Sequence, residues 1–310
     1  MTELQIRKMR FAFADHPVPF LWNESNPAFS SMANAVSFLA IAFEKMIVSM
    51  ITEAMALITD PVVAEEADAF VRQEGQHSMA HRQHAKGLIR SYPGLKETLD
   101  EVIGAFDDLT ANTPLKYRLA YTADLEATFT PVFKLMLDND STLFAPGDDR
   151  VASLFLWHFV EEIEHRSSGL ILYRHISPDP WYRTKHIRDT FSHVGAVSAS
   201  IAKVFDEVVP FEDRGASAQE LLSISLLYGE FTFRGPGGRR RRARHGGPPT
   251  LFGDVPTRQL FAMVWRLLLS QAPHHDPADQ PLPDWADTWM HEYEQGSDMT
   301  KFYPRSVPQQ

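Results

Sequence analysis

The chain has 310 residues, a net charge of −10 and no cysteine. A general nucleic-acid binder is usually basic, so the acidic balance argues against that class of protein. Without a thiol there is no disulfide, iron–sulfur cluster, cysteine zinc site or thiolate nucleophile. Any tightly bound metal therefore needs His, Asp or Glu ligands.

In chain order, the sequence predicts an arm, a helical core and a helical extension. Residues 1–27 hold three prolines and several aromatic residues, which predicts an irregular N-terminal arm lying over the fold. Asp60-Pro61 is a helix start, and Pro178-Asp179-Pro180 ends a helix. Apolar periodicity predicts helices over 28–59, 61–90, 95–109, 112–137, 150–175, 182–208, 217–231, 256–270 and 283–294.

These segments predict an all-α protein, because none shows sustained β-type alternation. We expect a ferritin-like four-helix bundle over 28–177 and a C-terminal helical extension over 178–310 packed on it. Residues 234–250 form a flexible Arg/Gly-rich loop, for which a solvated surface is the simplest interpretation. Its arginine run could instead bind phosphate, nucleic acid or an acidic partner.

The N-terminus lacks an apolar core of signal-peptide length, and the chain has no run of 18 or more uncharged apolar residues. These two features predict a cytoplasmic protein with no membrane span. A homodimer is an open alternative to a monomer.

Two predicted helices carry the same chemical motif. On the second helix, Glu74 and His77 are three residues apart and His81 follows four residues later. At about 100° per residue, these side chains share one narrow stripe. On the helix over 150–175, Glu162 and His165 repeat the Glu-x-x-His spacing. Each helix therefore presents a carboxylate and an imidazole one turn apart.

Dinuclear four-helix bundles combine two such motifs with one Glu from each of the other two helices. Glu44 lies in the apolar stripe of the first helix, and Glu126 lies among apolar residues of the helix over 112–137. Burying either carboxylate without a partner would be costly. Asp124 would face the wrong side. The predicted metal ligands are Glu44, Glu74, His77, Glu126, His158, Glu162 and His165.

Three residues have more than one interpretation. His158 lies one turn before Glu162, and both His158 and His81 could ligate a metal or hydrogen-bond behind a ligand. Glu161 could lie behind the ligands, pair with an arginine such as Arg166, or carry a proton in catalysis. We expect two metal ions, with iron favoured and manganese or zinc as alternatives.

The motif Gln73-Glu74-x-x-His77-x-x-x-His81-Arg82, followed by Leu125-Glu126 and Trp157-His158-x-x-Glu161-Glu162-x-Glu164-His165, resembles the bacterial family called "predicted metal-dependent hydrolase". The resemblance covers residues 30 to 295 and includes the tail segment Pro273-His274-His275-Asp276-Pro277. It departs at Phe43, where that family usually has glycine.

The ligand set is also similar to that of the non-haem di-iron arylamine N-oxygenases, which carry a third histidine one turn before the second Glu-x-x-His. That resemblance is confined to the site, and it implies O₂ binding across two Fe(II) ions.

Three functions fit this ligand set. We favour an O₂-dependent oxidase or oxygenase acting on a small organic substrate, with an electron donor as partner. Residues such as Phe38, Phe129 and Trp157 would exclude water from its pocket. The alternative is a metal-dependent hydrolase using a metal-bridging hydroxide, with Glu161 or His81 as the proton carrier. A second alternative is metal binding or ferroxidase activity, against which the large C-terminal half argues.

Overall fold

The computed structural model describes residues 4–221, 250–279 and 283–303. Within these ranges the protein is all-α and contains no strand, which confirms the predicted fold class. Most of the predicted helix over 217–231 and all but the last residue of the Arg/Gly-rich loop lie outside the described residues.

Five long helices and a short one build the first half of the chain. They are α1 (Pro27–Ala54), α2 (Pro61–Ser91), α3 (Leu95–Asn112), α4 (Leu115–Leu137), the short α5 (Asp140–Leu143) and α6 (Asp149–Glu164). The helices that follow are α7 (Ser168–Ile176), α8 (Pro180–Val208), α9 (Phe211–Arg214), α10 (Ala218–Leu221), α11 (Thr257–Ser270) and α12 (Asp284–Glu294).

Three of the long helices begin with the same local signal. The side chains of Asn26, Asp60 and Asp179 each accept a hydrogen bond from a first-turn amide, and a proline follows each of them. The capping oxygen satisfies an amide that has no partner within the helix, and proline has no amide to satisfy. The predicted start at Asp60-Pro61 is thereby confirmed.

The bundle that holds the site consists of α1, α2, α4 and α6. Helix α1 packs on α2, α4 packs on α6 and α7, and the two pairs contact one another through α1 with α4 and α2 with α6. These helices are embedded in an apolar core, with Phe38, Ile41 and Phe70 fully buried. Each such side chain contributes about 1.5–3 kcal/mol when removed from water.

The prediction of one helix over 150–175 is wrong. Helix α6 ends at Glu164, His165 occupies its C-cap with φ −92° and ψ 15°, and α7 starts at Ser168. The amide of Ser168 bonds to the carbonyl of His165 at 2.8 Å, and the Ser168 hydroxyl donates to Glu66 at 2.5 Å. Gly169, a poor helix former, follows Ser168.

Helix α1 is both the most apolar helix and a core helix. The segment Pro27–Leu57 is long and apolar enough to cross a membrane, but 61% of its most apolar 18-residue window is buried inside the fold. Buried core helices meet the same length and composition criteria, because they too lack a solvent-facing polar side.

The arm and the extension both cover the bundle. From the arm, Phe11, Phe13 and Phe20 are buried in the main core. Arg166 and Arg174 donate to the carbonyls of Pro277 and His275, and Arg183 of α8 donates to those of Ser270 and Ala272. Charged donors on backbone carbonyls make strong bonds, so the contacts of Arg166 and Arg174 fasten the extension to the bundle.

Candidate metal centre

The seven predicted ligands lie together in the interior of the bundle. Donor atoms of one group, the histidine-rich half-site, all lie within 4.8 Å of one another; its members are Glu44, His77, His158 and Glu162. A second group, the carboxylate-rich half-site, meets the same limit; its members are Glu74, Glu162 and His165. Glu162 belongs to both groups, so one carboxylate from α6 lies between two candidate ion positions.

In the histidine-rich half-site, three helices bring nitrogen and oxygen donors together. Nε2 of His158 lies 2.9 Å from Oε1 of Glu162 and 3.4 Å from Oε1 of Glu44. Nδ1 of His77 lies 3.6 Å from the same Oε1 of Glu162. The two imidazoles thus approach one carboxylate oxygen from α2 and α6, while α1 supplies Glu44.

In the carboxylate-rich half-site, Nε2 of His165 faces three carboxylates. Its distances are 3.1 Å to Oε1 of Glu74, 3.4 Å to Oε2 of Glu162 and 3.7 Å to Oε2 of Glu126. A Cβ added to Gly169 of α7 would lie 3.2 Å from Cγ of Glu126, so this glycine leaves room for the Glu126 side chain. The break after α6 therefore also shapes the site.

Several of these donor atoms are buried without a hydrogen-bond partner among the described residues. Both carboxylate oxygens of Glu44, Glu74 and Glu126 are in this state, as are Nδ1 of His77 and Nε2 of His165. Buried polar atoms are nearly always paired in native proteins, so this cluster requires an explanation. The four carboxylates Glu44, Glu74, Glu126 and Glu162 would carry four negative charges when ionised, which two divalent cations would neutralise.

The electrostatics of the centre favour a bound cation. Burial, together with the charge of Glu162, raises the pKa of Glu44, Glu74 and Glu126 well above 4.5. Burial also acts on Glu162, but His165 and His158 hold its pKa well below 4.5. Ionising all four groups together requires nearby positive charge, which metal ions supply.

Two imidazoles of the centre are neutral near pH 7. Burial lowers the pKa of His77 to about 3 and that of His158 to about 4. A metal ligand must offer a lone pair, so a histidine that resists protonation is suited to that role.

Glu161 lies behind His77, on the side away from the two ion positions. Its Oε2 accepts from Nε2 of His77 at 2.8 Å, and its Oε1 accepts from Arg7 at 3.0 Å. With Nε2–H donated to Glu161, Nδ1 of His77 keeps its lone pair for the centre. The expected pairing with an arginine is made by Arg7 and not by Arg166, whose guanidinium donates to the carbonyls of Pro277 and Ile163.

His81 lies behind His158 and starts a chain of hydrogen bonds. Nε2 of His81 lies 2.8 Å from Nδ1 of His158, and its Nδ1 lies 2.9 Å from the hydroxyl of Ser37. That hydroxyl also lies 2.8 Å from Nδ1 of His84. Both ring nitrogens of His81 are therefore engaged, one by the candidate ligand His158 and one by Ser37, which suits the hydrogen-bonding alternative for His81. His158 itself faces Glu44 and Glu162 and belongs to the candidate ligands.

Gln73 holds the third histidine. Its Oε1 lies 3.0 Å from Nδ1 of His165, while its amide nitrogen donates to the carbonyl of Gln5 at 3.1 Å. The amide orientation thus makes Nδ1 of His165 the donor and leaves Nε2 toward the carboxylates.

An aromatic wall lies on two sides of the centre. The ring of Trp157 packs against His77 with centroids 4.9 Å apart. Phe129 stacks on Phe133 at 5.1 Å, and Phe133 lies 6.3 Å from the His158 ring. Phe38, which we also expected in this wall, packs instead against Phe205 of α8 at 5.5 Å.

Two other polar groups lie outside the centre. Asp124 faces α8, where it accepts from Arg183 at 2.9 Å, so it is turned away from the ligands as predicted. In the tail pair, His274 is exposed and His275 is half-buried, with its carbonyl bonded to Arg174. Neither histidine belongs to the two groups of candidate ligands.

Sequence reasoning missed Arg7, Ser37 and the role of Gln73. Gln73 could have been noticed, because it directly precedes Glu74 within the motif. Arg7 and Ser37 lie far along the chain from His77 and His158, the candidate ligands that they help to hold, so no local spacing marks them.

A model of the family described as predicted metal-dependent hydrolase matches residues 5–210. The chain belongs to this family. The match contains all seven candidate ligands and Arg7, and it ends before α11 and α12. Among curated proteins and among solved structures, nothing matches the chain. The similarity of the ligand set to arylamine N-oxygenases stays a prediction.

Proposed function

We propose that the protein is a dinuclear metal enzyme that hydrolyses a small organic substrate. The observation that carries this proposal is the buried set of unpartnered carboxylates that meets three imidazoles around one shared residue, Glu162. The description of the family, a predicted metal-dependent hydrolase, supports the hydrolytic reaction class. Two bound ions would supply an activated water and polarise the bond to be cleaved.

The chain's own residues divide the remaining work. His77 and His158 offer neutral nitrogen donors, and the carboxylates offset the repulsion between two cations. Trp157 and the stacked pair Phe129 and Phe133 keep bulk water from the buried centre, which strengthens its electrostatic interactions. Glu161 and His81, the predicted proton carriers, have their polar atoms engaged behind the ligands, so we propose that they orient His77 and His158.

Hydrolysis is tested with the metal-free protein loaded with Zn(II) or Mn(II) and given panels of ester, amide and phosphoester substrates without O₂. We expect turnover that a chelator abolishes and added metal restores. The variant Glu162→Gln should be inactive under the same conditions. Failure of both metals on every panel, together with O₂ consumption by the Fe(II) form, would contradict hydrolysis.

A second candidate is an O₂-dependent oxidase or oxygenase. The specific observation in its favour is that carboxylates and histidines arrive from four separate helices, which is the ligand arrangement of di-iron bundles. For this candidate we expect the Fe(II) protein to consume O₂ with a reductant present and to develop a near-ultraviolet ferric absorption band. A metal-storage role would instead require more than two irons per chain.

A further inference from the structure

Arg7, a residue of the N-terminal arm, is buried beside the metal centre. Its side chain is 2% exposed and donates to Oε1 of Glu161 at 3.0 Å. It also makes a two-pronged contact with Glu164, at 2.7 and 2.8 Å. A guanidinium in this geometry fixes two neighbouring carboxylates of α6 in place.

Helix α12 covers the opposite side of Arg7. The guanidinium carbon lies 5.6 Å from the ring centroid of Trp289 and 5.3 Å from that of Tyr293. The two rings are stacked on each other, and Trp289 is fully buried. Arginine over aromatic faces is attracted by the ring quadrupole, most strongly where water is excluded. Arg7 therefore connects α12 to the carboxylates of α6.

We propose that Arg7, held by Trp289 and Tyr293, positions the metal ligand His77, so that docking of α12 and metal binding stabilise one another. The inference rests on the proposed metal centre. It goes beyond that centre because α12 lies outside the family match, so a segment beyond the matched region supports a ligand that lies within it.

The contacts form one continuous path. The rings of α12 hold Arg7, Arg7 holds Glu161, and Glu161 accepts the Nε2–H bond of His77 at 2.8 Å. Loss of Arg7 would leave Glu161 buried without a counter-charge, which is strongly unfavourable, and would free His77 to rotate. Because coupling between two equilibria is reciprocal, a metal ion that fixes His77 must favour the docked α12 to the same extent.

The first test uses the wild-type full chain and Zn(II) alone. Amide hydrogen exchange is followed by mass spectrometry in the metal-free and Zn(II)-loaded protein. We expect Zn(II) to slow exchange in α12 as well as in the bundle helices. Two bound Zn(II) ions with unchanged exchange in α12 would overturn the coupling.

The second test compares three variants by Zn(II) competition with a chelator and by the Co(II) absorption spectrum. Arg7→Met should weaken binding of one ion by roughly 10–100-fold, the usual cost of losing a residue behind a ligand, and should alter the Co(II) spectrum. Arg7→Lys keeps the positive charge but loses the paired N–H donors of the guanidinium, so we expect a Zn(II) affinity between those of wild type and Arg7→Met.

Arg174→Met is the matched control. Arg174 also ties the bundle to the extension, through the carbonyl of His275, but has no contact with the ligands. We expect wild-type metal affinity for this variant. If Arg7→Met fails to fold, the hydrogen-exchange comparison still decides the proposal. Equal affinity for wild type and folded Arg7→Met overturns this inference alone, whereas a wild type that binds no metal overturns the proposed function as well.

Discussion

The two half-sites share Glu162 but differ in their donors. The histidine-rich half-site combines two imidazoles with Glu44 and Glu162, whereas the carboxylate-rich half-site has one imidazole, with Glu126 next to it. Nitrogen donors favour later transition metals such as zinc, and carboxylate oxygens suit harder ions. The two ion positions are therefore chemically inequivalent, and the first ion to bind should prefer the histidine-rich half-site when that ion is zinc.

The surroundings of the ligands differ as well. A charged pair, Glu161 with Arg7, stands behind His77, while a chain of neutral groups stands behind His158. In the carboxylate-rich half-site, the amide of Gln73 stands behind His165. An imidazole that donates its N–H to a carboxylate binds a metal ion more strongly than one that donates its N–H to an amide oxygen. The contacts behind the ligands therefore increase the difference between the half-sites.

The largest expected effect is the loss of both metal ions when the shared carboxylate of Glu162 is replaced. Glu162→Gln keeps the shape of the shared side chain but removes its charge, so metal content should fall from two ions per chain to none after metal loading and desalting. The metal-free variant should be less thermally stable than the metal-free wild type, because His165 and His158 stabilise the ionised form of Glu162 and Gln cannot carry that charge. Elemental analysis and thermal unfolding measure these outcomes.

The control for this variant is Glu65→Gln, an exposed position on α2 that should retain both ions. Two ions bound to Glu162→Gln with wild-type affinity would show that the half-sites do not share a ligand.

The next largest effect is the loss of one metal ion at a time, from one half-site or the other. Glu44→Gln should lose the ion of the histidine-rich half-site only, and Glu74→Gln should lose the other ion only, since these carboxylates belong to different groups. Titration with Co(II) should then give one ion per chain in each variant, with different absorption spectra. Identical spectra would contradict two distinct half-sites.

The metal-free protein should lose stability as the pH rises above 6.5. Burial raises the pKa of Glu44, Glu74 and Glu126 well above 4.5, so the unfolded chain ionises first and the fold retains the protons. Each retained proton costs about 1.4 kcal/mol of folding stability per pH unit until its group ionises in the fold. The lowered pKa values of His77, His81, His84 and His158 oppose this slope near pH 6.5, where the unfolded imidazoles are still partly protonated, and their effect vanishes by about pH 8.

Denaturant unfolding at pH 6.5 and at about pH 8, with and without Zn(II), measures this slope. We expect bound metal to abolish it, because the metal replaces the protons. A metal-free protein whose stability is flat or rises over this range would show that the carboxylates are already ionised and balanced.

The smallest expected effect concerns the uncharged hydrogen-bonded groups behind His158, which are His81, Ser37 and His84. Ser37→Ala leaves Nδ1 of both His81 and His84 without the hydroxyl, which should cost about 1–3 kcal/mol of stability. It should weaken the ion of the histidine-rich half-site by about tenfold and leave the other ion unchanged. The control is Ser31→Ala, a substitution on the same helix. It removes a buried hydroxyl that has no hydrogen-bond partner among the described residues, and binding of both ions should stay unchanged.

Helix type, helix starts and the clustering of the candidate ligands could be predicted because they depend on local spacing. Glu74 with His77, and Glu162 with His165, each lie one turn apart, so a helix must present each pair on one face. The break at His165 could not be predicted from periodicity, because the apolar pattern continues through 170–173 and the partner of Ser168, Glu66, lies on another helix.

By itself, the sequence determined an all-α chain with a metal-binding motif repeated on two helices, since composition and periodicity act over neighbouring residues. Only the tertiary structure decided which atoms stand behind those ligands. Arg7, Ser37 and Trp289 reach the outer side of the centre from the arm, from α1 and from α12. Such contacts depend on how helices pack against one another, and burial makes them strong, but no spacing along the chain records them.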